Sequence, residues 1–111
     1  MSRCAALVGA MVLALACSNA TMDHNKLASE RKRLHALDAE ALLFEQVLLL
    51  RHTTATYARG HAAYLHQSAR EIVEKLAKAR PASGAEAEFQ GIQADATRLE
   101  ERFVALLLRL Q

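Results

Sequence analysis

The sequence predicts an all-α fold, a three-helix up-down-up bundle with coiled-coil-like packing, and three observations predict it. From Asp23 onward no stretch shows the strict apolar–polar alternation of a half-buried strand. Only one strong breaker interrupts that region, Arg80-Pro81-Ala82-Ser83-Gly84. On both sides of it apolar residues recur at alternating three- and four-residue steps, the spacing of a coiled-coil seam.

Scale and charge agree. The chain has 111 residues, 52% hydrophobic and 23% charged, enough apolar content for one packed domain and too short for a multi-domain enzyme. Its 14 basic and 12 acidic side chains lack the marked basic excess of a nucleic-acid binder.

The first segment differs from the rest. Arg3 precedes an apolar run from Ala5 to Ala16, followed by the small and polar Cys17-Ser18-Asn19-Ala20. A charged start, a short apolar run and a small-residue end form a secretory signal pattern. Twelve apolar residues fall short of the roughly 20 that span a bilayer, so removal is expected rather than permanent insertion. The expected division is a signal peptide over 1–16, a tether over 17–22 and a helical bundle over 23–111.

Leu13-Ala14-Leu15-Ala16-Cys17 resembles the lipobox of bacterial lipoproteins, in which a small residue precedes a Cys that becomes the lipidated first residue. That class prefers Leu three places before the Cys, where this chain has Ala14. The resemblance implies lipidation at Cys17, membrane attachment and a periplasmic or outer-membrane address. Ser18 after the Cys fits outer-membrane sorting in that class. Ordinary signal cleavage at Ala14-Leu15-Ala16 or Ser18-Asn19-Ala20 is the alternative, giving a secreted soluble protein. Removing the leader takes Cys4 with it and leaves Cys17 as an odd thiol in an oxidising compartment, which lipidation would explain.

The third helix, about 84–110, is the clearest. Ala85, Phe89, Ile92, Ala96, Leu99, Phe103, Leu106 and Leu110 keep the seam without a miss. Ser83 is the expected N-cap, and Glu86 and Glu88 suit the positive end of the helix dipole. The second helix, about 54–80, carries Ala55, Ala58, Ala62, Leu65, Ala69, Ile72, Leu76 and Ala79. Folding the two about the turn sets large residues against small ones, as with Ala62 and Phe103. It also sets Lys75 near Glu88 and His66 near Glu100.

The first helix, about 23–51, places Leu27, Leu34, Leu37, Ala41, Phe44 and Leu48 in phase with the second, with Glu30 and Arg51 at seam positions. Unbroken phase allows an alternative, one long helix to Ala79 with a half-length partner, which would dimerise. Thr53, Thr54 and Thr56 are weak helix formers and Thr54 can cap, so a break there and three helices of about 27 residues, roughly 40 Å each, are expected.

No constellation for catalysis is evident, and no cofactor is implied. The histidines at 24, 35, 52, 61 and 66 never fall three or four apart, the spacing by which a helix shares ligands on one face. Cys-x-x-Cys-His, Glu-x-x-His and Gly-rich phosphate loops are absent from the sequence. A periplasmic metal or haem carrier using His52, His61 and His66 is the alternative, resting on histidine number alone. Tyr57 and Tyr64, seven apart, share a helix face that is expected to cap the core.

Two basic groups, Lys26 with Arg31-Lys32-Arg33 and Arg70-Lys75-Lys78-Arg80, fall at the tethered end of the expected fold, where anionic headgroups or a solvated surface are both compatible. Excess apolarity gathers at the other end. Leu43, Leu49, Leu50, Val104, Leu107 and Leu108 widen the stripes beyond a seam. They are the expected binding surface for an unknown envelope protein or a second copy. The function expected is therefore a small non-catalytic envelope lipoprotein, an interaction or structural module that binds no nucleic acid.

Overall fold

A computed structural model of the chain describes residues 20–111. The leader read over 1–16 and the lipidation site read at Cys17 lie outside the described residues. The order is β1 (Thr21–Met22), α1 (His24–Leu49), α2 (Ala55–Ala77), β2 (Arg80–Pro81) and α3 (Glu86–Arg109). Three helices pack into an all-α bundle; α2 and α3 form the closest pair, and α1 packs on both. No helix among the described residues is long and apolar enough to cross a membrane.

Each helix boundary has a local cause. Asp23 caps α1, its carboxylate accepting from the Lys26 N–H at 2.9 Å. The long-helix alternative is excluded, because α1 stops at Leu49. Arg51 adopts the left-handed region at φ 55° and turns the chain. The His52 N–H then donates to the Val47 carbonyl and the Arg51 N–H to that of Leu48, both at 3.1 Å. This paired closure satisfies orphan carbonyls at a helix end and usually employs Gly at the turning residue. Thr54 caps α2, as its hydroxyl predicts, accepting from the Tyr57 N–H at 3.1 Å.

Ser83 does not cap α3. The turn closes through the Ala85 N–H donating to the Ala82 carbonyl at 2.9 Å, with Gly84 at φ 88° in its third position. Positive φ there is what a type II turn demands and what glycine supplies. The helix begins behind Ala85 with no side-chain cap, and Glu86 reaches back to accept from the Gly84 N–H at 3.0 Å. Chain geometry therefore spends Ser83 inside the turn.

The two short strands are unforeseen by the helical pattern. Thr21 pairs with Arg80 and Met22 with Pro81 in parallel. Pro81 has no N–H, so the ladder runs through its neighbours: Arg80 donates to Ala20 at 3.1 Å and Ala82 to Met22 at 2.9 Å. Met22, only 1% exposed, plugs the base of the core. The folded unit thus begins ahead of Asp23, in residues read from sequence as tether.

The core follows the seams. Leu27, Leu34, Leu37, Ala41 and Phe44 of α1 are buried with Ala58, Ala62, Leu65, Ala69, Ile72 and Leu76 of α2, and with Phe89, Ile92, Ala96, Leu99, Phe103 and Leu106 of α3. The expected α2–α3 layers frays only at their ends, where Ala55 is exposed and Ala79 and Leu110 are half-buried. Glu30 keeps its seam position and is 3% exposed, made tolerable by ion pairs to Lys75 of α2 and Arg33 of its own helix. A charge buried this far needs partners that satisfy its oxygens.

Candidate interaction surface

α1 descends from the strand-clasped base and ends beside the C-terminus of α3. Leu48 and Leu49 share a crevice there with Arg109 and Leu110, so the leucine-rich ends of the first and third helices meet as expected. Of the six residues read as a binding surface, Leu43, Leu49, Leu50, Val104 and Leu108 are exposed, Leu49 by 82%. Leu107 is half-buried against the core. Leu42, next to Leu43 on α1, is also exposed. These side chains are outward because the helix faces that carry them exceed the width a three-helix seam can cover.

Beside them an open groove of about 600 Å³ separates the end of α1 from the start of α2, lined by Glu40, Leu43, Phe44, His52, Tyr57 and His61 among others. His61 organises it. Its ring lies parallel to Tyr57 at 5.7 Å and tilted against Phe44 at 4.7 Å, with Tyr64 at 5.8 Å on the far side. Glu40 Oε1 stands 3.4 Å from its Nε2. Sequence spacing foresaw Tyr57 and Tyr64 on one face, and His61, four residues after one and three before the other, shares that face by the same spacing; its contact with Phe44 required the α1–α2 packing. The tyrosines flank the core from outside, both exposed.

His52 lines the same groove, whereas His66 does not. Among the described residues no three His, Cys, Asp or Glu side chains come together as a metal set.

Several charges elsewhere are paired within the bundle. Lys75 meets Glu30 rather than Glu88, and Glu88 instead takes His24 Nδ1 at 2.6 Å and Arg31 Nη2 at 3.2 Å. The heptad arithmetic counted only α2 against α3, and α1 supplies the carboxylate that captures Lys75. Arg102 ties α3 to α1 through Asp38 at 2.7 Å and Glu45 at 2.9 Å. Glu100, expected opposite His66, acts on Arg70, whose guanidinium is held above its usual range by its hydrogen bond and charge contact with Glu74 and by Glu100. Half of the two basic groups, Arg31, Arg33, Arg70 and Lys75, is thus spent on Glu30, Glu74 and Glu88.

The chain matches no family model, no curated protein and no solved structure.

Proposed function

We propose that the protein is a non-catalytic helical lipoprotein of the bacterial cell envelope, anchored through Cys17 and acting as an interaction or structural module through its leucine-rich end. The observation that carries this reading is the row of uncovered leucines, Leu42, Leu43, Leu49, Leu50 and Leu108, on an otherwise well-packed bundle. Apolar patches of this kind on a small monomer mark contact surfaces. Two further features support it. The sequence before Ala20 resembles a lipoprotein export signal, and the strand clasp anchors the chain's entry at the base, about 27 Å along α1 from Leu42 and nearly the whole helix length, about 39 Å, from Leu49 and Leu50. A tether there leaves the apolar end pointing away from the membrane. The carrier alternative built on His52, His61 and His66 has no such support, since the His61 ring is already packed between aromatic neighbours.

Mass spectrometry of the mature N-terminus tests the reading. Diacylglycerol on Cys17 is expected, with Cys17→Ser moving the protein from the membrane to the soluble fraction. A mature chain beginning unmodified at Thr21 would replace the lipoprotein reading with a secreted one.

A further inference from the structure

The other half of the two basic groups is not spent. Lys26, Lys32, Lys78 and Arg80 are exposed and enter no ion pair among the described residues. Lys32 stands further along α1, and the remaining three gather where the chain enters the fold. Lys26 Nζ donates to the Thr21 carbonyl at 3.2 Å. Arg80 lies across from Thr21 in the strand pair, its N–H donating to the Ala20 carbonyl at 3.1 Å, and Lys78 closes α2 two residues earlier. Beside them Ala20 lines a crevice of about 270 Å³ with Met22, Lys26, Ser29, Glu30 and Lys75.

The acids at this end already have donors. Glu30, 3% exposed, is shared by Lys75 and Arg33, so that two half-exposed cations answer one hidden carboxylate. Asp23 accepts from the Lys26 N–H, Glu86 from the Gly84 N–H and Glu74 from Arg70, while Glu88 takes His24 and Arg31. A surface approaching the base therefore meets cations without partners and carboxylates that are engaged.

We infer that the base docks on anionic phospholipid headgroups, with Lys26, Lys78 and Arg80 against their phosphates. Sign selects a negative surface, and position selects a membrane. From Cys17 to Ala20 is three residues, at most about 11 Å of extended chain. An acyl anchor on Cys17 thus brings these cations to headgroup level, at a separation on the order of the Debye length, where lipid charge still acts. To that extent the inference rests on the proposed lipidation. A tether alone would let the bundle tumble; cations at its root hold the base down and the leucines outward.

Residues 17–111 carrying Cys17→Ser contain the whole described core and no lipid, and serve as the test protein. In about 20 mM salt it is expected to sediment with vesicles of about 30% phosphatidylglycerol in phosphatidylcholine, not with phosphatidylcholine alone, and to be released by about 0.5 M salt. The triple variant Lys26→Gln, Lys78→Gln, Arg80→Gln lowers the partition coefficient at least about tenfold with unchanged helical circular dichroism. Arg51→Gln, Arg59→Gln, Arg109→Gln removes the same charge from the other end and lowers it less than about threefold. Orientation is read with the cations intact, since Cys4 precedes residue 17 and the test chain has no other cysteine. A fluorophore on Asn25→Cys is expected to be quenched by a headgroup-attached quencher, and one on Leu50→Cys is not. Absence of phosphatidylglycerol-dependent binding, equal loss through the arginine variant, or quenching at Leu50→Cys in place of Asn25→Cys would each overturn the inference. Release by inorganic phosphate at constant ionic strength would overturn it too, marking a site for free phosphate. Vesicle binding together with an unmodified Cys17 would end the anchor and leave the docking surface; diacylglycerol on Cys17 without vesicle binding by the test protein would do the reverse.

Discussion

The base and the tip of the bundle are built from similar helices but treat their surfaces oppositely. At the base, main-chain bonds clasp β1 to β2, Met22 closes the core, and Glu30, Glu88, Lys75, Arg33, Arg31 and His24 are consumed in pairs with one another. At the tip, α1 ends in a left-handed arginine, α2 begins with small residues, and leucines stand in solvent on two helices. One end is closed in on itself and the other is left open. Polar groups that find partners inside a fold no longer recruit any outside it, whereas uncovered apolar surface gains free energy from any partner that removes it from water.

Four substitutions would break or sharpen this contrast. Phe103 is fully buried, and Phe103→Ala should cost about 3–5 kcal/mol, measured by urea unfolding. A smaller loss would mean that the tip core is loosely packed and that its openness extends inward. Met22→Ala should cost about 2–3 kcal/mol and increase hydrogen exchange at the Arg80 and Ala82 amides, which the clasp protects. If the cost were negligible, the base would not be closed by the strand pair.

Arg51→Gly acts at the tip's hinge. Relieving a non-glycine residue at φ 55° should stabilise the bundle by about 1 kcal/mol, a rise of several degrees in Tm. Destabilisation would show instead that the Arg51 side chain contributes a contact there. Leu49→Ser, at a position 82% exposed, should change stability by less than about 0.5 kcal/mol and lower binding of an apolar dye. That separation of stability from surface apolarity is what distinguishes an open face from a core, and a large destabilisation would erase it.

Much of the fold was legible because helical periodicity is a local code. Leu65, Ile72 and Phe103 are buried where their spacing puts them, and Thr54 caps α2 because a hydroxyl before a helical run can reach the N–H three residues on. The surface was legible for the same reason: Leu43, Leu49 and Leu50 lie off the seam and are outside. What local reading could not supply were contacts that join distant segments. Ser83 has a capping side chain but is taken up by the turn that Gly84 closes. Lys75 was matched with α3 because two helices were aligned without the third, and Glu30 of α1 holds it.

The amino-acid sequence alone determined the helices, their faces and the surplus of leucine, because each follows from residue spacing along one chain and from side-chain preferences that act over a turn or two. Tertiary structure alone decided the strand clasp at Met22, the pairing of the buried Glu30 with Lys75 and the placing of His61 between Phe44 and Tyr57. Those depend on which segments meet, and a meeting across 45 or 60 residues is settled by how all three helices fill space together rather than by any signal within one of them.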